Sequence, residues 1–353
     1  YRHIQWPVMV VPLLGLMPLM GLLAVVQLDW IVGYARSTGH LLTGLGLIAW
    51  PLAFAIQYRL LYAVGDQWPA PLPRAWHTAT LLLLMGAVAG EVDWLLRDLL
   101  RAATAWRLAA LMAVSAAPLL LLLRWRERQI WPLTALPRVY APHGGAPLSL
   151  AGIAWSLVLM AGLHAGGPQP LGYLPLCNPV EIGQVLILVA LAYHLWIYAS
   201  SRPWGGKQTE AVKSLVWALA VAVFVFLNAV VARSVHHFGG SPYDLSLMTD
   251  GRLHAAVSIL WAILALGAMA WGARHRLRPV WFAGAGLLGC GVAKLFFIDL
   301  AGSGGISRIV SFLAVGGLML LIGFFAPLPP AGSASPEKRE DGGPGEGMPP
   351  SEA

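Results

Sequence analysis

The chain has 353 residues, of which 58% are hydrophobic and 11% charged, with a formal net charge of +7 and a mean hydropathy of +0.68. A soluble domain carries about a quarter of its residues as Asp, Glu, Lys and Arg, so this composition excludes a soluble enzyme, a nucleic-acid binder and a disordered protein for the bulk of the chain. The basic excess reads instead as loop charge that orients a membrane protein, and the two cysteines exclude a disulfide framework or a thiolate metal cluster.

The sequence opens at Tyr1, ahead of a hydrophobic run and without Met or a signal peptide. It is expected to be the C-terminal part of a longer chain. A bilayer core requires about 20 apolar residues per helix. Runs of that kind predict spans near 8–27, 41–63, 76–96, 105–123, 148–164, 180–199, 212–232, 253–272, 279–297 and 306–326. The alternation of a membrane barrel is missing from these runs. The expected fold is therefore an all-α polytopic bundle of about ten transmembrane helices.

The first span ends in Leu28-Asp29-Trp30, and the second holds Pro51, which predicts a kink. The third loses its apolar character at Glu91 and Asp93. Residues 92–101 read as an amphipathic extension at the interface, with Asp93 and Arg97, and Asp98 and Arg101, spaced to pair. Glu91, nearest the hydrocarbon, is a candidate proton carrier or substrate ligand. Ahead of the sixth span, segment 165–178 is uncharged and rich in Gly and Pro, as in a re-entrant or covering loop. It ends in Asn178-Pro179-Val180-Glu181, a capping arrangement with Asn at the N-cap and Glu at the third helical position. Glu181 is also a candidate substrate contact.

The longest outer loop is expected to hold Arg233, His236, His237, Ser241, Tyr243, Asp244, Asp250, Arg252 and His254. It is the richest in proton-transferring side chains. His236 and His237 are adjacent and form no i, i+4 metal pair. The ninth span carries Lys294, which can snorkel outward or pair with Asp299. Ala285, Gly289 and Ala293 on that span favour close helix packing. Arg308 precedes the last span. Gln57, Asn228 and His194 read as interhelical hydrogen-bonding groups. Beyond Pro327 the composition turns to Pro, Gly, Ser and charge, which predicts a disordered tail over 328–353.

With ten spans, both ends share one side. The short loops of that side hold 13 Lys and Arg against 8 opposite. The rule that basic loops stay inside puts both ends in the cytoplasm. Eight acids fall on the outer side and three on the inner. The balanced outer charges are where chemistry is expected. Glu91, His236, His237 and Asp244 are the catalytic candidates. Glu181, Arg233, Lys294 and Arg308 are the substrate-binding candidates, as charge-assisted hydrogen-bonding groups. No metal or cofactor site is expected.

Several stretches resemble a known family. They are GLIAWPLAFAIQY at 46–58, YLPLCNPVE at 173–181, SILWA at 258–262, AKLFFIDL at 293–300 and RIVSFLAVGGLMLLIGF at 308–324. They are similar to the domain-of-unknown-function family 2339 of bacterial predicted membrane proteins, over roughly residues 40–326. The resemblance implies an integral membrane protein and supplies no catalytic residues. A family-like Asp at the end of the Asn-Pro motif is Glu181 here, which keeps the charge.

The leading expectation is an inner-membrane protein that binds or modifies a polar or lipid-linked envelope substrate at its periplasmic face, with membrane lipids as partners and no nucleic acid. A secondary transporter and a scaffold without ligand are the alternatives. A transporter would bring polar residues to the midplane on broken helices. A scaffold would pair each outer charge locally.

Overall fold

A backbone within hydrocarbon must satisfy its own hydrogen bonds, so long apolar runs become helices. The computed structural model of the chain describes residues 10–27, 40–64, 71–125, 128, 131–133, 136–140, 144–167, 172–200 and 206–299, together with 316, 317 and 320. Among these residues the secondary structure is helical. The helices are α1 (Val10–Gln27), α2 (Gly46–Val64), α3 (Pro71–Trp94), α4 (Thr104–Trp125), α5 (Pro137–Tyr140), α6 (Gly145–Gly162), α7 (Pro179–Ser200), α8 (Gly206–Gly239), α9 (Gly251–Arg274) and α10 (Arg278–Lys294).

Six helical segments among the described residues are long and apolar enough to cross a membrane: Pro71–Leu99, Thr104–Trp125, Pro179–Ser200, Val212–Gly239, Gly251–Arg274 and Arg278–Phe297. Shorter apolar helical stretches occur at Gly15–Val26 and Gly145–Leu159. The protein is thus a multi-pass membrane helix bundle, with six of the ten expected spans meeting both requirements. The predicted span 306–326 lies almost wholly outside the described residues, and the tail 328–353 entirely so.

The chain divides into two units, Tyr1–Leu253 and His254–Ala353. In the first, α4 and α7 make the most extensive helix contact. Small residues on α7 allow it. A Cβ added at Gly183 would stand 2.6 Å from Met112 Cε and 3.0 Å from Ala109 Cα. Around this contact Met112, Ala116, Leu119, Leu150, Val158, Val180 and Ile187 form the main core. A second cluster joins Met20, Trp50, Phe54 and Ala87 from α1, α2 and α3. A third joins Leu188 of α7 to Ala222, Phe226 and Val230 of α8. Large side chains left exposed, such as Leu22, Ile48, Leu52, Val189 and Ile259, are apolar, as a surface facing lipid tails requires.

Four sequence expectations are altered. α2, which holds Pro51 in its interior, starts at Gly46, after a turn at 41–45, rather than at residue 41. α3 is followed by a single π-helical turn over Leu95–Leu99, closed by Leu100 N donating to Leu95 O at 3.0 Å. Arg101, with φ 49°, ends it. α8 continues beyond the apolar run as far as Gly239, so His236 and His237 sit on a helix and not in a loop. In the second unit the close approach belongs to Gly284 and Gly272, not to Gly289. A Cβ on Gly284 would lie 2.8 Å from Ala265 O, and one on Gly272 2.8 Å from Trp281 N, whereas Gly289 has open space.

Candidate functional site

The heads of α7 and α8 meet through two charged side chains that are both completely buried. Glu181 occupies the stripe of α7 that continues into Gln184 and Leu188, all of it shielded. Arg233 continues the stripe of α8 that holds Ala222, Phe226 and Val230. Packing of the two stripes brings Arg233 Nη1 to 3.3 Å from Glu181 Oε1 and 3.0 Å from Gln184 Oε1. Both side chains have 0% exposure. A buried charge costs several kcal/mol of desolvation, so its remaining partners decide whether it is tolerated.

Those partners come from the loop between α6 and α7. Tyr173 donates its hydroxyl to Glu181 Oε1 at 2.8 Å, and Leu176 N donates to Oε2 at 2.5 Å. Asn178 caps α7 by accepting from Val180 N at 3.0 Å. The Asn-Pro-Val-Glu capping arrangement is therefore present, but the carboxylate reaches past the cap to the loop and to α8.

Four carbonyls around the end of α6 each accept from a different side chain. Gly162 O accepts from Tyr243 Oη at 2.6 Å, and His164 O from Arg233 Nε at 2.9 Å. Ala165 O bonds His237 Nε2 at 2.8 Å, and Gly166 O accepts from Asn178 Nδ2. Gly166 has φ +70°, and a Cβ there would lie 3.1 Å from Asn178 Oδ1. Both the turn and the contact call for glycine at this position.

Tyr173 links the buried pair to two half-exposed histidines. The Tyr173 ring stacks on His237 at 4.3 Å, and His237 meets His236 edge-on at 4.6 Å. His236 Nδ1 bonds Ser241 O at 2.6 Å. A carbonyl can only accept, so neutral His236 carries its proton on Nδ1 and neutral His237 on Nε2. Each ring then keeps one nitrogen lone pair, Nε2 of His236 and Nδ1 of His237. His164 Nδ1 accepts from Gly166 N at 2.9 Å, which requires an unprotonated Nδ1. Burial, with the Arg233 cation second, lowers the His164 pKa. Burial raises the pKa of the Tyr173 and Tyr243 phenols, and both remain hydrogen-bond donors at neutral pH.

The other candidates stand elsewhere. Asp244 is exposed and caps the short 3-10 turn Leu245–Thr249, accepting from Ser246 N at 2.8 Å and from the Ser246 hydroxyl. The Ser246 bonds lower its pKa. Glu91 forms its own cluster: His40 Nδ1 lies 2.8 Å from Oε2, Leu42 N donates to Oε1 at 3.1 Å, and Trp94 stacks on His40 at 3.6 Å. Asp93, expected to pair with Arg97 four residues on, is held chiefly by Arg107 of α4 through two bonds of 2.8 and 2.9 Å. Asp98 accepts from Arg97 Nε at 2.8 Å. In the second unit Lys294 donates to His254 O at 3.0 Å and to Ser258 Oγ at 2.9 Å. Arg308 and the side chain of Asp299 lie outside the described residues.

The structure thus brings Glu181, Arg233, His236 and His237 together, out of the residues singled out by sequence. It adds Tyr173, Gln184, Asn178, His164 and Tyr243. The signal for Gln184 was present, three residues after Glu181 on one helix face. Tyr173 and His164 carried no such mark. Among the described residues no group of three or more His, Cys, Asp or Glu is placed to hold a metal ion.

Comparison with known proteins gives one family: a model described as "Predicted membrane protein (DUF2339)" matches residues 1–329. No curated protein and no solved structure matches the chain.

Proposed function

The chain belongs to the DUF2339 family of predicted membrane proteins, and we propose that it binds or modifies a polar or lipid-linked envelope substrate at the periplasmic face of a bacterial inner membrane. The observation that carries the reading is the fully buried Glu181–Arg233 pair, linked through Tyr173 to the half-exposed His237 and from it to His236. Ionisable groups are expensive near a bilayer and tend to mark functional sites there. Replacing a buried pair with apolar side chains is often neutral or stabilising, so packing alone does not call for one.

In this reading the buried pair sets the geometry and the histidines act. Arg233 and Glu181 lock the loop over α7 and α8. The loop carbonyls fix the histidine tautomers. The remaining lone pairs, Nε2 of His236 and Nδ1 of His237, are the proton acceptors. The periplasmic setting follows from the basic side assigned to the chain ends.

Mass spectrometry of species co-purifying in nanodiscs tests the proposal. The wild type is expected to retain a species with a polar headgroup. The double variant His236→Asn/His237→Gln keeps amide donors for the Ser241 and Ala165 carbonyls and should retain about tenfold less of it with little change in melting temperature. The same complement of bound species on both proteins refutes the proposal.

A further inference from the structure

At the opposite end of α2 from its Gly46 start, a second assembly of side chains is independent of the cluster above. The lipid-facing stripe of α2 runs Ile48, Leu52, Ala55, Arg59, Tyr62, all exposed. These positions stay within about 80° of one another at 100° per residue. The opposite stripe, Trp50, Phe54, Gln57 and Leu61, is buried. A stripe facing hydrocarbon thus ends in a cation and an aromatic ring, the pattern of a helix reaching headgroup level.

Beside Arg59 lies an open cleft of about 310 Å³, lined by Ala55, Tyr58, Arg59, Tyr62 and Trp131. Its walls are fixed. Trp131 stands at 90° to both Tyr58 and Tyr62, with ring centroids 6.2 and 5.3 Å apart. Behind it, buried His77 meets Trp131 at 5.6 Å and is itself held by Tyr140 Oη, 2.9 Å from its Nδ1. The Arg59 guanidinium carbon lies 5.6 Å from the Tyr62 ring centre. Among the described residues no carboxylate pairs with Arg59.

We propose that this cleft is a binding site for the headgroup of an anionic membrane phospholipid. The guanidinium fork is suited to a phosphodiester, which it engages through two parallel hydrogen bonds. The phenol and indole rings are suited to the glycerol level, where amphipathic rings collect. Leu52 and Ile48, about two and three turns along α2 from Arg59, provide an apolar track for an acyl chain. A choline headgroup would bring a second cation to Arg59 and is disfavoured.

The test uses the full chain in nanodiscs of phosphatidylcholine with about one part in five phosphatidylglycerol, followed by native mass spectrometry of the lipid retained on release. The wild type should keep phosphatidylglycerol in preference to phosphatidylcholine, and inorganic phosphate should not strip it. Arg59→Gln should lower retention by about fivefold or more, while Arg274→Gln, a change at another exposed arginine, leaves it unaltered. A second readout needs no arginine variant. Brominated phosphatidylglycerol should quench Trp131, measured as wild type minus Trp131→Phe, more than brominated phosphatidylcholine does. Equal retention by Arg59→Gln, preference for phosphatidylcholine, loss to inorganic phosphate, or equal quenching by both lipids overturns the proposal.

Discussion

Substituting Arg233 by Met removes a cation while nearly keeping its apolar volume. Three acceptors then lose a donor: Glu181 Oε1, Gln184 Oε1 and the His164 carbonyl. The largest loss is at Glu181, whose carboxylate stays at 0% exposure with no cation beside it. Removing one partner of a buried pair costs about 3–5 kcal/mol, or roughly two to nearly four orders of magnitude in the unfolding equilibrium. Reversible unfolding in mixed dodecyl maltoside and sodium dodecyl sulfate micelles measures the change. Adding Glu181→Gln to Arg233→Met should recover part of the loss. The amide oxygen can still accept from Leu176 N while the NH2 donates to the Tyr173 hydroxyl oxygen, and the side chain carries no charge. A single-variant cost below about 1 kcal/mol, in the range of solvated surface pairs, refutes this account. So does a double variant less stable than Arg233→Met alone.

Two further predictions bear on the same region. His164 has a lowered pKa in the folded state, so the unfolded chain takes up its proton first on acidification; stability should fall as pH drops below about 6.5, and His164→Gln should flatten that slope in a pH series of melting curves. Gly183→Ala places a methyl group against Met112 and Ala109 at the α4–α7 contact. It should cost about 1–3 kcal/mol in the same micelle assay, and an unchanged midpoint would show that the two helices can separate freely.

The fold was legible where one physical requirement dominates. Apolar runs of bilayer length had to be helices, and the bounds of α4, α7, α9 and α10 fall close to the expected ones. α8 was underestimated because the apolar run stops at Ala232, while helix formation needs only backbone hydrogen bonds. Arg233, Ser234 and His236 continue the helix by turning onto the loop and onto α8's own carbonyls. The candidate site was legible residue by residue but not as a grouping. Asn178 read correctly as the cap of α7, whereas Glu181 reaches past the cap to Leu176 N and Tyr173, and its cation lies 52 positions away. Local periodicity carries no information about a pairing that distant. The same holds for Glu91, whose partner His40 is 51 positions off, and for Asp93, which keeps its expected pair with Arg97 at 3.7 Å but is bonded more closely by Arg107 on the neighbouring helix. Nearest-in-sequence pairing is a poor guide where helices cross.

The four carbonyls around the end of α6 carry a consequence for how this region tolerates change. The path of residues 162–166 is written largely in side chains that belong to other segments: Tyr243, Arg233, His237 and Asn178. Their grip is on main-chain oxygens, which every residue type supplies. Apart from Gly166 and His164, whose Nδ1 accepts from Gly166 N, the identities inside the loop are therefore weakly constrained, while its shape is strongly constrained from outside. A library randomised at Leu163 and Ala165 should keep the loop's course. One randomised at the four distant donors should lose it, although it leaves the loop's own sequence intact.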